Sequence, residues 1–162
     1  MNLKINDNVF SRFPKLETDR LLLNEFKISD AQELYNLRSD DRVMKYLDRD
    51  NHKSVKDSEE MIGSIIKTYK DKTGLNWIIR EKESEKVVGY IGYWRIIRES
   101  VRAEVGYALS PDFWGKGLMY ETLIKIIEFG FRKEAHFRED YLYKGKFLDS
   151  TIYCLVETDY KT

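Results

Sequence analysis

Residues 112–121 read Asp-Phe-Trp-Gly-Lys-Gly-Leu-Met-Tyr-Glu, with Gly115 and Gly117 flanking a lysine between an apolar, strand-like run and a helix-like run. A strand ending near Leu109, a glycine loop and a helix starting near Leu118 would present unpaired N–H groups at the positive end of a helix, which makes an anion site. Glycine lets the backbone approach a phosphate with no Cβ in the way, and Lys116 adds charge. On the glycines alone, a plain strand-to-helix turn at positive φ is the simpler description. Neither nucleotide fingerprint fits. Leu118 follows Gly117 where a Walker A loop needs Lys and Ser/Thr, and Tyr120 stands where G-x-G-x-x-G has its third glycine.

Other reactive residue types are sparse. Glu104 lies in the alternating run "RAEVGYAL", where a solvated strand residue is the plain reading. His52, in "DRDNHKS", belongs to a surface loop that could border a site, and His136 lies in "KEAHFRED". Neither histidine has a partner at ligand spacing, so surface or packing roles outweigh metal binding, and no metal is expected. The single cysteine, Cys154, excludes an internal disulfide framework and reads as a small apolar strand residue. Trp77 and Trp94 fall at strand positions and read as core.

These residues need elements to hold them. "RLLLNEF" (20–26) reads as a strand, and Ser29 and Gln32 form a capping-box pattern that starts a helix running to about Arg38. A second helix spans roughly Ser54 to Lys70, with Met61, Ile65, Ile66 and Tyr69 at helical spacing. "NWIIRE", "VVGYIGYWRII" and "RAEVGYAL" are rich in β-branched and aromatic residues and are separated by polar turns, which predicts an antiparallel meander. After the loop, Leu123, Ile124, Ile127 and Phe131 line one helical face. The last stretch reads as two strands around a Lys144-Gly145-Lys146 turn. No linker or repeat divides the chain, so residues 1–162 are expected to form a single domain. With 28 basic and 28 acidic residues, no net field draws the chain to nucleic acid or an anionic membrane. No run reaches membrane-spanning length and no signal-peptide core is present, so a cytoplasmic protein is expected.

"LETDRLLLNEF", "AEVGYALSPDFWGKGLMYE" and "FREDYLYKGKFLDSTIYCLVETDY" resemble, in order and over nearly the whole chain, the GNAT superfamily of acyl-CoA N-acyltransferases, in its ribosomal-protein alanine N-acetyltransferase-like branch. The resemblance implies an α+β fold with a mixed, mainly antiparallel sheet flanked by helices. It also implies acetyl transfer from acetyl-CoA to a primary amine, either a protein N-terminal α-amine or a small amine. In the family the loop wraps the coenzyme pyrophosphate and the preceding strand binds the pantetheine arm. Those roles fall here on Trp114, Gly115, Lys116, Gly117, Leu118, Met119 and Tyr120, and on Val105, Gly106, Tyr107, Ala108 and Leu109. The superfamily pattern Gln/Arg-x-x-Gly-x-Gly/Ala maps onto Trp114, Gly117 and Met119, so Met119 crowds the approach to phosphate. Glu104 becomes the candidate base, acting through water, and a backbone N–H near Gly106 or Tyr107 the oxyanion donor.

One departure from the family is large. There, the helix after the loop leads to a parallel strand, a turn bearing Asn and often Ser, and a helix ending in Gly-Phe. Here Gly130-Phe131 is followed at once by "RKEAHFRED", a gap on the order of two to three dozen residues. Loss of the parallel strand and the following helix would expose the edge of the Glu104–Leu109 strand and invite pairing, either with the chain's own terminal hairpin or with that of a second copy, giving an exchanged homodimer. It would also remove the usual acid-bearing turn, leaving Tyr107, Tyr141 and Tyr143 as substitutes. The alternatives are a non-catalytic coenzyme-A-binding or assembly module, and a small-ligand sensor on the same sheet.

Overall fold

The structure is a computed structural model that describes residues 7–100, 102–130, 132–143 and 146–154, the last two stretches as backbone strands. The described elements are β1 (Leu16–Glu17), β2 (Leu21–Asn24), α1 (Ala31–Arg38), α2 (Asp41–Met44), α3 (Val55–Lys70), β3 (Leu75–Glu81), β4 (Val87–Ile97), β5 (Arg102–Leu109), α4 (Leu118–Gly130), β6 (Arg132–Tyr143) and β7 (Lys146–Cys154). β1 to β5 form one antiparallel sheet in sequence order: short polar connections join β1 to β2 and β3 through β5, whereas α1 to α3 lie between the paired strands β2 and β3. β6 and β7 pair antiparallel across Tyr143 and Lys146 as a separate two-stranded sheet. Within the described residues α4 is followed directly by this hairpin and β5 is an edge of the five-stranded sheet.

Both faces of the sheet are covered. Trp77, Ile79, Ile91 and Tyr93 pack with Leu118 and Ile126 of α4, whereas Ile78, Tyr90 and Ala108 pack with Leu34 of α1 and with Ile62 and Ile65 of α3. β3 is consequently buried without a break from Leu75 to Ile79, because each side chain meets a helical layer whichever way it points.

Three expectations change in detail. α1 has no side-chain cap bond; the capping box instead closes the preceding 3-10 turn, Ile28–Asp30, through Asp30 and not Ser29. The Asp30 carboxylate accepts from the Lys27 N–H at 2.8 Å and pairs with Arg80, while Gln32 donates along the helix to Asn36 at 3.0 Å. The buried stripe of α4 is Leu118, Thr122, Ile126 and Gly130, not the face through Ile124, which is exposed. This stripe is chosen by Tyr93, whose hydroxyl donates to the Ile126 carbonyl and whose ring fills the space that a side chain at Gly130 would need. Phe131 lies outside the described residues. Trp94 is 44 % exposed rather than core. It is the extra residue of a bulge, since Tyr93 pairs with Val105 and Arg95 with Glu104, and the bulge interrupts the alternation that would have buried it. Trp77 is fully buried, and its indole N–H donates to the Pro14 carbonyl at 2.6 Å.

Candidate active site

β5 ends at Leu109, a 3-10 turn covers Pro111–Phe113, and α4 begins at Leu118. Between them Gly115 and Gly117 adopt φ of +73° and +75°, in the left-handed region that ordinary residues avoid. The first described N–H of the helix ladder is that of Glu121, bonded to the Gly117 carbonyl at 3.0 Å, so the amides of Leu118, Met119 and Tyr120 precede it and point out of the helix start.

Two side chains lock the loop. The Trp114 indole N–H donates to the Leu109 carbonyl at 2.8 Å, stapling the loop to the end of β5, and its ring stands edge-on to Tyr46 at 6.1 Å. Arg20, just before β2, donates through Nε to Glu121 Oε2 at 2.8 Å and through Nη1 to the Lys116 carbonyl at 3.0 Å. Burial pulls the Glu121 carboxyl up, but hydrogen bonds from Thr18 and Arg20 and the Arg20 charge outweigh it, and its pKa lies below the ordinary value.

A cleft of about 550 Å³ opens against this loop. Of the residues the sequence assigned to the coenzyme, Tyr107, Ala108 and Leu109 line it from β5, and Trp114, Gly115, Gly117, Leu118, Met119 and Tyr120 from the loop and helix. Met119 is only partly buried, packing its inner side against the α4-side core. Val105 packs against that same core, and the Lys116 ammonium lies 5.0 Å from the Phe113 ring. The opposite wall, Val43, Tyr46 and Leu47, was missed from sequence. It is carried by α2, a four-residue helix capped by Asp40, which accepts from the Arg42 N–H at 2.9 Å. The Ser39-Asp40-Asp41 run was the available signal.

A second cleft of about 410 Å³ lies on the α1/α3 side and shares Leu47 and Tyr107 with the first. Gly106 and Trp94 form its sheet side, Arg38 and Met61 its helical side, and Asp48, Arg49 and His52 its loop side. The structure thus brings His52 to a site border, as its loop suggested. His52 Nδ1 is 2.7 Å from Ser58 Oγ, and its backbone N–H donates to the Arg38 carbonyl at 3.1 Å. Burial depresses the imidazole pKa and the Arg38 charge adds to this, against a smaller opposing pull from Asp57. Glu104 lies on β5 two positions from Gly106 and pairs across the strands with Arg95. Neither cleft counts it among its lining residues. Tyr107 is 49 % exposed and borders both clefts. The side chains of His136, Tyr141, Tyr143 and Cys154 lie outside the described residues. Among the described residues, no group of three His, Cys, Asp or Glu side chains could hold a metal ion, and no helix is long and apolar enough to cross a membrane.

An antiparallel sheet between helical layers, with a positive-φ loop joining β5 to a helix start, defines an acetyltransferase of the GNAT type. The chain belongs to that family: residues 20–145 match the family described as acetyltransferase (GNAT) domain. It is 33 % identical over 119 residues, 74 % of its length, to the uncharacterized N-acetyltransferase YoaA of Bacillus subtilis (strain 168). Such matches span 67 %, 65 % and 66 % of the curated Bacillus relatives' own lengths, about two thirds. The fold is similar to that of a putative ribosomal-protein-serine acetyltransferase from Vibrio cholerae, with a TM-score of 0.64 at 17 % identity over 89 % of this chain and 98 % of that one. It is also similar to the microcin C7 self-immunity acetyltransferase MccE, solved in complex with acetyl-CoA and AMP, with a TM-score of 0.59 at 20 % identity over 86 % and 93 %.

Proposed function

We propose that this chain, as one GNAT domain, transfers acetyl from acetyl-CoA to a primary amine, a protein N-terminal α-amine or a small amine. The observation that carries the reading is the pair of clefts meeting at Leu47 and Tyr107. Coenzyme occupies the loop cleft, with its pyrophosphate at the amides preceding Glu121 and its pantetheine arm along the outer edge of β5. The acceptor enters by the second cleft. Its nitrogen lone pair attacks the thioester carbonyl carbon, the carbonyl oxygen takes negative charge against a β5 amide near Gly106 or Tyr107, and the C–S bond then breaks. The amine proton passes to a base and a proton reaches the departing thiolate, for which Tyr107, the tyrosine that lines both clefts, is the candidate donor.

Glu104 is the proposed base, through water, with Arg95 pairing its carboxylate two positions from Gly106 on β5. His52 is a second reading, favoured by its place in the cleft wall and by its depressed pKa, which leaves the ring neutral and able to accept a proton. A thiol-release assay over peptide α-amines and small amines tests both. If Glu104 is the base, Glu104→Gln lowers kcat by about 10²–10⁴-fold with coenzyme affinity unchanged. Full activity in Glu104→Gln with the same loss in His52→Gln transfers the role to His52.

A further inference from the structure

We infer that the second cleft is built for an amine that also carries a carboxylate and an apolar group, with Arg38 as the counter-charge. The inference rests on the acetyl-transfer reading only for the word amine. Arg38 is the last residue of α1 and is 6 % exposed. A buried guanidinium is ordinarily held by a carboxylate, because desolvating a charge without a partner is costly. Arg80 follows that rule by pairing with buried Asp30. Arg38 does not. Among the described residues it has no ion pair, its Nε has no hydrogen-bond partner, and its one side-chain bond is a long contact from Nη1 to the Tyr90 hydroxyl at 3.4 Å. Yet it borders a cleft rather than a closed interior.

The surroundings fit an anion entering from that cleft. Arg49 adds a second cation at the cleft border, and among the described residues Asp48 is the only carboxylate lining it. His52 stays neutral near pH 7, partly because of Arg38 itself, so the imidazole neither pairs with Arg38 nor competes for an anion. Met61, Trp94 and Leu47 give the rest of the wall an apolar character suited to an aromatic or branched group. A planar guanidinium with free donors matches a carboxylate in two-point geometry, which an ammonium would not. A polycationic acceptor would meet the same buried charge as repulsion.

The test compares L-phenylalanine with L-phenylalaninamide, which has the same body and amine but no charge at the carboxyl position. Binding to the coenzyme-A-loaded protein is measured by calorimetry, alongside thiol release from acetyl-CoA. The expected result is tighter binding of the carboxylate form by about tenfold or more, the scale of a charge-assisted hydrogen bond. Arg38→Met should erase that preference, with unchanged coenzyme affinity reporting an intact fold, and Arg38→Lys should keep part of it. Equal or tighter binding of the amide, binding of neither compound, or a preference that survives Arg38→Met overturns the inference. Carboxylate-selective binding without thiol release upholds the inference and removes the acetyl-transfer reading. Thiol release with amines but no carboxylate preference does the reverse.

Discussion

Replacing Gly117 separates two reasons for glycine in the loop. Its φ is +75°, and a Cβ built there would meet only Arg20 Nη2, at 3.8 Å. The protein therefore has room for a side chain, and the obstacle is the backbone angle or the ligand. An L-residue in the left-handed region costs about 1–2 kcal/mol, more if β-branched and much less for asparagine. If that strain is relieved by moving the loop out of its binding-competent shape, apparent coenzyme affinity falls by the competent fraction, about 5- to 30-fold for alanine. Calorimetric titration with coenzyme A should then rank the variants, with Gly117→Asn close to wild type, Gly117→Ala weaker and Gly117→Val weakest. If a Cβ instead blocks the phosphate, all three lose affinity together, which would refute the strain argument. Wild-type affinity in Gly117→Val would remove the loop from the binding site.

Gly130→Ala should lower stability by about 1–3 kcal/mol, the range for overpacking, in a urea melt. Combining it with Tyr93→Phe should cost less than the sum of the two, because the hydroxyl nearest the added methyl is gone. Glu121 contributes stability present above its ordinary value of 4.5 and lost as the pH falls through its lower folded pKa, since in that window the unfolded chain binds more protons. The stability gap between wild type and Glu121→Gln should be constant at neutral pH and shrink below 4.5. In the absence of coenzyme the outer edge of β5 should pair with a second copy, so light scattering should report a dimer that saturating coenzyme A, whose pantetheine arm takes the same edge, breaks up; a monomer at high concentration without coenzyme would contradict the pairing.

The β3–β5 meander was legible because its strands are β-rich and joined by polar turns, and the loop because glycine best suits two left-handed positions so close together. Positions decided by tertiary contacts were not legible. Asp30, rather than Ser29, closes the turn before α1, and Arg80 holds it from fifty residues away in sequence. The buried stripe of α4 follows the Tyr93 hydroxyl rather than the strongest apolar periodicity. Trp94 turns outward at a bulge that no alternation of residue types announces. The second cleft was nearly invisible for the same reason. Arg38 reads as a helix-ending surface cation, and only its burial without an acid reveals it as unusual.

Leu47 and Tyr107 belong to both clefts, and this sharing sets how the protein can change over time. If the two clefts hold donor and acceptor as proposed, a mutation at either position alters the handling of both together, so drift there is constrained twice. Met61, Trp94 and Arg49 line only the second cleft, the proposed acceptor side. They are the positions where a lineage could try new amines while the donor end stays as it is, and where an engineer should begin.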